Sequence, residues 1–428
     1  MISLNQNQIN KYNMKIIKFI KYLIIKNNKI SNKIIIKILK NTNNNIVNII
    51  CLNYSIKFNN TKLFEYLIEN GADINYALNV VCLKSKFDLI KYLINNGVNI
   101  NYALKLSCLK GNLKIIKYLI RNGANINFND KYNFKLNVGI QNGIDINYQT
   151  CLEIAIRTKN INLIKYLIKH EADIHIDNDY FLILSIKIQN LSIIKILIEN
   201  GIDIHAYDNY ALEIAVKNQN LEIIKYLVEK GIDISANDQY GLEIAIRNNN
   251  LEIVKYLIEN GNNINYNNNY AIELCCKYGY LDILKYLHEK GGNINDDDEY
   301  PLQIACKKGH LDIVNFIVEK GVDINFNNNY LINTSIRKGN IDIIKYLISK
   351  GCNINLLQKE KILLLLDYNI INHELLNIIK KDINYYLNNI TNEELKNYLL
   401  SYYYHKLNNE LNNEFKKELN YKVNLLNY

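Results

Sequence analysis

The chain has 428 residues, 49% of them hydrophobic, which suffices for two or three ordinary domains or for one long repetitive array. A balance of 51 Lys and Arg against 42 Asp and Glu gives a net charge of +9, a weak excess that argues against a dedicated nucleic-acid binder. No stretch reaches the roughly 18 apolar residues needed to cross a membrane, so no membrane partner is expected.

The first 50 residues are rich in Ile, Lys and Asn and have a helical pattern. Lys15, Lys18 and Lys21 interrupt the apolar run that a signal peptide needs, so we expect an intracellular, cytoplasmic protein. Residues 19–27 (FIKYLIIKN) look like an eroded second helix of the repeat that follows. Residues 1–50 are therefore interpreted as degenerate N-terminal capping helices, because terminal repeats must present a polar outer face.

From residue 51 onward a helical phrase recurs and ends in Gly, with a spacing of 30 residues from Gly201 and of 26 in earlier copies. Each copy holds two helical patterns, such as 211–218 (ALEIAVKN) and 221–230 (LEIIKYLVEK). The second pattern is apolar on several sides and must lie between neighbours. Asn or Gly between the helices accepts left-handed backbone angles, and Gly231 is placed as a C-cap. One copy cannot bury its apolar faces, but stacked copies can.

Residues 300–325 (YPLQIACKKGHLDIVNFIVEKGVDIN) resemble the ankyrin-repeat pattern T-P-L-H-x-A-A-x-x-G-H-x-x-I-V-x-x-L-L-x-x-G-A-D-V-N. The matching residues are Pro301, Leu302, Ala305, Gly309, His310, Ile313, Val314, Gly321, Asp323 and Asn325. The resemblance covers residues 51–355 and implies an all-α fold, an ankyrin-type helix-turn-helix repeat solenoid of about ten repeats. The shortened, Asn-rich copies are similar to those of giant-virus ankyrin arrays.

Three departures from the family pattern affect the expected surface. Tyr replaces the motif Thr at Tyr180, Tyr210, Tyr240, Tyr270, Tyr300 and Tyr330. The motif His is replaced by Glu153, Glu213, Glu243, Glu273, Gln303 and Asn333, so the usual Thr–His hydrogen bonds are missing. The repeat is also short in its extended loop, which keeps four linking residues such as 326–329 or none at all. The sequence therefore predicts stubby or absent β-hairpin loops, and helix surfaces must do more of the binding.

Residues 124–150 break the rhythm and are interpreted as a degenerate repeat or an inserted loop that would allow a bend in the solenoid. The cysteines are expected to be buried thiols, because no CxxC pair or nearby His gives metal spacing. His175 and His205 share one slot in adjacent copies, where satisfied loop histidines are favoured over metal ligands. The acidic run 296–299 lacks EF-hand spacing and is interpreted as chance loop acidity.

Repetition turns single residues into columns along the array. A basic column occupies the end of the first helix at Arg157, Lys187, Lys217, Arg247, Lys277, Lys307 and Arg337. In ankyrin stacks this position faces the concave side, where family members bind, so the column is a candidate groove for an acidic partner. The opposing interpretation is a self-neutralised face, since an acidic residue stands four places before a basic one in four copies: Glu153 before Arg157, Glu213 before Lys217, Glu243 before Arg247 and Glu273 before Lys277.

Two further columns have structural and functional interpretations. The tyrosine column Tyr180 to Tyr330 could stack between repeats or offer hydroxyls to a partner. Lysines of the second helix follow acidic residues three places earlier in four copies and are interpreted as a solvated face; they are Lys165, Lys195, Lys225, Lys255, Lys285 and Lys345.

After residue 355 the period stops, and residues 356–428 contain about three helical segments. Thr391 with Glu394 forms a capping box, and a later apolar stripe consists of Leu407, Leu411, Phe415 and Leu419. This region is interpreted as a C-terminal helical cap or tail. Residues 390–400 (ITNEELKNYLL) also resemble the F-box-like segment that ends some viral ankyrin proteins and recruits a ubiquitin ligase.

No phosphate-binding loop, G-x-S-x-G or H-E-x-x-H motif occurs, so no enzyme activity, cofactor or metal site is expected. The sequence predicts a monomeric, non-enzymatic protein–protein interaction scaffold for an unidentified protein partner, with the basic and tyrosine columns as binding candidates. One alternative is a substrate-receptor adaptor for a ubiquitin ligase recruited by the C-terminal tail. A second is a binder of an anionic polymer through the basic column, although nucleic acid is not expected.

Overall fold

The computed structural model describes residues 6–26, 29–42, 45–129, 150–295, 300–355, 357–367, 370–371, 373–381, 383–390 and 393–406. Within these ranges the chain forms helices and turns and no β-strand, which confirms the all-α fold class. The chain divides into two compact units, Met1–Ile232 (unit 1) and Asp233–Tyr428 (unit 2).

Each unit is a series of short helices. Those of unit 1 are α1 (Gln6–Lys26), α2 (Lys29–Thr42), α3 (Asn45–Lys57), α4 (Thr61–Glu69), α5 (Ile74–Leu83), α6 (Phe87–Asn95), α7 (Ile100–Lys110), α8 (Leu113–Arg121), α9 (Cys151–Arg157), α10 (Ile161–Lys169), α11 (Ile176–Lys187), α12 (Leu191–Glu199), α13 (Ala206–Lys217) and α14 (Leu221–Glu229). Those of unit 2 are α15 (Ala236–Arg247), α16 (Leu251–Glu259), α17 (Tyr266–Tyr278), α18 (Leu281–Glu289), α19 (Tyr300–Lys308), α20 (Leu311–Glu319), α21 (Phe326–Lys338), α22 (Ile341–Ser349), α23 (Lys359–Asp367), α24 (His373–Lys381), α25 (Ile383–Asn389) and α26 (Glu393–Lys406).

From α3 to α22 the helices alternate between a first helix of variable length and a second helix of nine residues. First helices pack against the first helices of neighbouring repeats, as α11 does on α13 and α17 on α19. Second helices contact the next second helix in the same way, as α16 does on α18. Within each unit, neighbouring pairs therefore bury their apolar faces against one another, as a repeat array requires.

Residues at the two ends of the second helix explain its constant length. Asn220 begins α14, where its side chain accepts a hydrogen bond from the backbone N–H of Ile223 (3.1 Å). Gly231 follows the helix with a φ of +92°, a left-handed angle that glycine adopts without steric cost. The predicted C-cap is confirmed, and the Asn before each second helix is an N-cap in most repeats.

The tight turn between the paired helices has one left-handed residue. It is Gly279 in one repeat (φ +84°) and Gln219 in another (φ +54°). Ser85 and Lys159 occupy the same slot elsewhere. The prediction of Asn or Gly at this position is thus only partly right, because the recurrent Asn belongs to the N-cap that follows.

The four linking residues adopt a left-handed turn in place of a hairpin. Asp177, Asn178 and Asp179 have φ values of +51°, +56° and +64°. The equivalent residues of the next repeat, 207–209, repeat these angles, and Asn267 and Asn269 are left-handed in unit 2. Asp and Asn tolerate this conformation better than most residues because their side chains bond locally. In a shorter copy Asp73 caps α5 directly, as expected for a repeat without a linker.

A second local motif precedes each linker. The side chain of Asp203 accepts a hydrogen bond from the backbone N–H of His205, and Asp323 does the same for Asn325 (2.9 Å in both). This arrangement is an Asx turn, in which an Asp or Asn side chain accepts a hydrogen bond from the backbone N–H two residues later, and it recurs throughout the array. The carboxylate or amide therefore fixes the direction of the chain as it leaves each second helix.

The eight cysteines all lie in the described part of the chain as buried free thiols, which confirms the prediction made for them. Burial raises the pKa of Cys51, Cys82 and Cys306 to about 12. A thiol with such a pKa stays protonated at neutral pH, so these side chains act as small apolar core groups.

The ends of the array are helical as well. In unit 1, α1 packs on α2 and α3, and in unit 2, α23 packs on α21. Of the predicted capping box, Thr391 and the Glu394 side chain lie outside the described residues, as does the stripe from Leu407 to Leu419. Among the helices that the structure describes, none is long and apolar enough to cross a membrane.

Two sequence features fall on the gaps between described ranges. Most of the irregular region 124–150, namely 130–149, lies outside them, and so does the acidic run 296–299. On either side of the first gap, α7 packs directly on α9. The Asn127 side chain also accepts a hydrogen bond from the backbone N–H of Asp173 (2.8 Å), so these two repeats are direct neighbours.

Candidate functional site

The basic column and the tyrosine column lie on the first helices, and we call their combined surface the first-helix face. Three of its basic residues form ion pairs with the Glu one turn earlier on the same helix. Arg157 bonds Glu153 (2.8 Å), and Lys217 bonds Glu213 (2.5 Å). In unit 2, Arg247 bonds Glu243 (2.7 Å). The interpretation of a self-neutralised face therefore applies at these three positions.

Two of the arginines, Arg157 and Arg247, also reach the motif tyrosine of the following repeat. Arg157 Nη2 donates to the Tyr180 hydroxyl (3.4 Å), and Arg247 Nη2 donates to the Tyr270 hydroxyl (3.2 Å). Arg247 Nη1 also donates to the hydroxyl of Tyr278 (2.7 Å). At these two positions the columns are joined, because a carboxylate and at least one phenol hydroxyl hold the guanidinium in place.

Burial affects the ionisation of Glu153 most clearly. Its side chain is only 14% exposed. Desolvation raises the pKa of the Glu153 carboxyl, and the hydrogen bond and charge of Arg157 oppose that rise. The ion pair with Arg157 therefore offsets part of the free-energy cost of burying the Glu153 carboxylate among the first helices.

Unit 2 has a groove between α15 and α17 with a volume of about 490 Å³. Tyr240, Tyr266 and Tyr270 line it together with Glu243 and apolar side chains such as Leu274. Tyr240 and Tyr266 are 38% and 39% exposed, so their rings are accessible from solvent. The groove therefore combines aromatic and aliphatic side chains with polar ones such as Asn263, and Glu243 is the charged residue among those that line it.

A second groove of about 350 Å³ lies between α17 and α19 and shares Tyr270 and Leu274 with the first. Its charged side chains are Glu273, Lys277, Lys307 and Lys308, which give the groove a net positive charge. Tyr300, 46% exposed, completes it. The two grooves form a continuous surface whose α15 end is aromatic and whose α19 end is basic.

The other predicted site residues lie elsewhere on the first helices. Lys187 is exposed, and Lys217 Nζ lies 5.9 Å from the centre of the Tyr210 ring. Arg337 donates to the Thr334 hydroxyl (3.3 Å), and Tyr330 is half-buried. These residues do not line the two grooves described above.

A family model described as ankyrin repeats (3 copies) matches six overlapping segments, residues 52–130, 78–178, 131–208, 152–238, 235–298 and 272–358. Together these segments span most of the chain, from the α3 region to residue 358. The chain belongs to the ankyrin-repeat family. A search of curated proteins found no match.

In this ankyrin-repeat protein, the last linker residue takes over the role of the missing Thr–His hydrogen bonds. Asp179 Oδ2 accepts from the backbone N–H of Asp203 (3.2 Å), and Gln239 Oε1 accepts from the N–H of Asn263 (2.6 Å). Asn329 Nδ2 donates to the carbonyl of Asn353. Each bond ties a linker to the next repeat. Sequence reasoning missed these residues, although the polar residue before each motif Tyr was a visible signal.

The histidines in the shared slot have polar partners. His175 Nδ1 lies 2.6 Å from Asp179 Oδ1, and His205 Nδ1 lies 2.7 Å from Asn209 Oδ1. Both rings thus fasten the start of a linker to its end. The described residues include no cluster of three potential metal-ligating side chains.

Two lysines of the second-helix column contact aromatic rings of the next ankyrin repeat. Lys195 Nζ lies 5.3 Å from the centre of the Tyr226 ring, and Lys255 Nζ lies 5.5 Å from that of Tyr286. Lys230 and Lys290 approach the same two rings from the end of the helix. These contacts give Lys195 and Lys255 a structural role between neighbouring repeats.

Proposed function

We propose that this ankyrin-repeat protein is a non-enzymatic scaffold that binds a protein partner on the first-helix face of unit 2. The observation that carries the proposal is the continuous pair of grooves from Tyr240 to Lys307. Together they offer a concave surface across three consecutive first helices. Ankyrin repeats generally serve as protein-interaction modules, and the linkers that the structure describes beside this surface form no hairpin.

The side chains in the grooves suit protein recognition. Tyr and Arg are enriched among the residues that dominate binding energy at interfaces. Tyr also provides a large contact area with little loss of conformational entropy. Arg247 is already fixed by Glu243, Tyr270 and Tyr278, so little further ordering is needed when a partner binds.

The charge distribution indicates the chemistry of the partner. An apolar or aromatic side chain fits the α15 end, which has few charged groups. Carboxylates fit the α19 end beside Lys277 and Lys307, whose positive charges exceed the single charge of Glu273. The proposed ligand is therefore an acidic peptide segment with an apolar anchor.

The test is affinity purification from cell lysate with full-length protein as bait and identification of bound proteins by mass spectrometry. Two groove variants are compared with wild type, Tyr240→Ser with Tyr266→Ser, and Lys277→Glu with Lys307→Glu. The controls lie outside the grooves: Lys285→Glu with Lys345→Glu matches the charge variant, and the single change Tyr398→Ser shows the effect of losing an exposed tyrosine elsewhere. All of these side chains are exposed in the structure.

We expect the same bound proteins on wild type and on both controls, and their loss from both groove variants. Tyrosines at interface centres typically contribute at least about 1 kcal/mol each, so the double serine variant should weaken binding roughly 30-fold. Partners that stay bound to both groove variants would show that another surface of the array is used.

The two alternative functions remain predictions. The ubiquitin-ligase adaptor depends on residues 390–400, and α26 begins inside that segment at Glu393. The anionic-polymer binder depends on free charge in the basic column, but Arg157, Lys217 and Arg247 are ion-paired. The second alternative therefore has less support than a protein partner.

A further inference from the structure

The positive charge of the protein is concentrated at one end of the chain. Residues 1–64 contain 11 of the 51 basic residues and none of the 42 acidic residues, so they carry +11, whereas the whole chain carries +9. The remaining 364 residues therefore have a net charge of −2. Such asymmetry indicates interaction of the basic segment with an anionic surface or polymer.

The structure shows how α1 displays this charge. Ile20, Leu23 and Ile24 are buried and form the side that packs on α2 and α3. The opposite side exposes four lysines to solvent: Lys15, Lys18, Lys21 and Lys26. Three large apolar side chains lie among these lysines, namely Phe19 (50% exposed), Tyr22 (54%) and Ile25 (55%). Three large apolar side chains half-exposed on one helix are a costly arrangement for a surface that meets only water.

The next helix has the same combination. On α2, Ile34 is 39% exposed and is flanked by the exposed Lys33 and Lys37. Ser31, Asn32 and Ile35 form its buried side. The outer surface of α1 and α2 thus has lysines interleaved with apolar groups. If these helices only capped the repeat array, a polar outer surface would be expected.

We propose that α1 and α2 form a docking surface for membranes that contain anionic phospholipids, with the helices lying on the membrane and not crossing it. Lysine ammonium groups would meet the lipid phosphates and carboxylates, since their long side chains can extend toward the headgroups. Phe19, Tyr22 and Ile25 would enter the boundary between headgroups and acyl chains.

The aliphatic side chains favour a membrane over a nucleic acid. Nucleic-acid binding would use the lysines and could stack Phe19 or Tyr22 on bases, but it leaves Ile25 and Ile34 in water. A membrane takes up aromatic and aliphatic groups alike. A helix that lies on the membrane surface does not need the roughly 18 consecutive apolar residues that a membrane-crossing helix needs. The expectation of no membrane partner was based on that length, so it does not apply to binding at the membrane surface.

The experiment is co-sedimentation of full-length protein with phosphatidylcholine vesicles made with and without phosphatidylserine. Lys15→Gln with Lys18→Gln tests the charges, and Phe19→Ser with Tyr22→Ser and Ile25→Ser tests the apolar groups. Lys285→Gln with Lys345→Gln is the matched control, since it removes two exposed lysines from unit 2. Circular dichroism confirms that each variant is folded.

We expect sedimentation with the phosphatidylserine vesicles only. Each lysine near an anionic surface is worth roughly fivefold in affinity, so the double Gln variant should bind about 30-fold more weakly. The triple Ser variant should lose about tenfold or more, and the control should match wild type.

Three results would overturn the proposal. The first is no sedimentation with phosphatidylserine vesicles at low salt. The second is equal binding to both kinds of vesicle, which would remove the role of the lysines. The third is binding to a mixed-sequence polynucleotide that competes with the vesicles and survives the triple Ser substitution, which would assign the surface to nucleic acid.

Discussion

At the scale of single residues, Asn and Asp provide much of the local order of this array. They cap second helices, as Asn220 does, and they close the turn after each second helix, as Asp203 does. They also adopt left-handed angles in the linkers, as Asn178 does. Each task uses a short side chain that bonds to nearby backbone, which explains why these residue types recur at fixed positions.

Glu153 gives a prediction about pH. Its raised pKa means that the native state keeps the proton at a pH where the unfolded chain has released it. The native state then binds more protons, so the unfolding free energy should fall as the pH rises above about 4.3, the ordinary carboxyl pKa. Glu153→Gln carries no charge and still offers an acceptor to Arg157, so the variant should gain stability relative to wild type over this range.

Urea titrations at several pH values between acidic and neutral measure this difference. Arg157→Gln is the companion variant, because it removes the group that opposes the pKa rise of Glu153. Its unfolding free energy should therefore fall by more than that of wild type as the pH rises, and the fall should extend to higher pH. The double variant should lose this part of the pH dependence. Parallel stability curves for wild type and Glu153→Gln would contradict the prediction.

At the scale of elements, the sequence predicted what its apolar periodicity encodes. The two helices of each repeat, the Gly231 cap and the Glu153–Arg157 type of ion pair all follow from spacings within one repeat. The linker conformation was not predictable in this way, because four polar residues carry no hydrophobic period. Contacts such as Arg247 with Tyr270 join residues 23 apart, and they depend on how neighbouring repeats stack.

The left-handed linker can be tested at Asn267, which is exposed and has a φ of +50°. Asn267→Ala should destabilise unit 2 by about 1 kcal/mol, because Cβ crowds the backbone in this conformation. Asn267→Gly should be neutral or slightly stabilising. At the exposed Asn248, where φ is −82°, Gly should instead be less stable than Ala. Chemical denaturation measures all four variants, and the same order of Gly and Ala at both positions would exclude the left-handed turn.

At the scale of the whole molecule, contacts between helices are local along the chain. A helix packs on its partner and on the equivalent helices of adjacent repeats, as α18 does on α16 and α17. Stability in such an array is close to a sum of repeat terms and nearest-neighbour terms, so damage to one repeat should remain local. The same locality lets the ends of the chain differ in charge and surface character while the described repeats keep the same pair of helices.

Leu287→Ala tests this locality, because Leu287 is fully buried in α18. Removing a buried leucine side chain should cost about 2–5 kcal/mol. Amide hydrogen exchange followed by mass spectrometry should then show faster exchange in α16 to α20, while the more distant α22 and α24 of the same unit keep their wild-type rates. Leu347→Ala, at the same buried position in α22, should shift the fast-exchanging region toward that helix. Uniformly faster exchange across unit 2 in both variants would mean that the unit unfolds as one cooperative block, and nearest-neighbour packing would then not describe its stability.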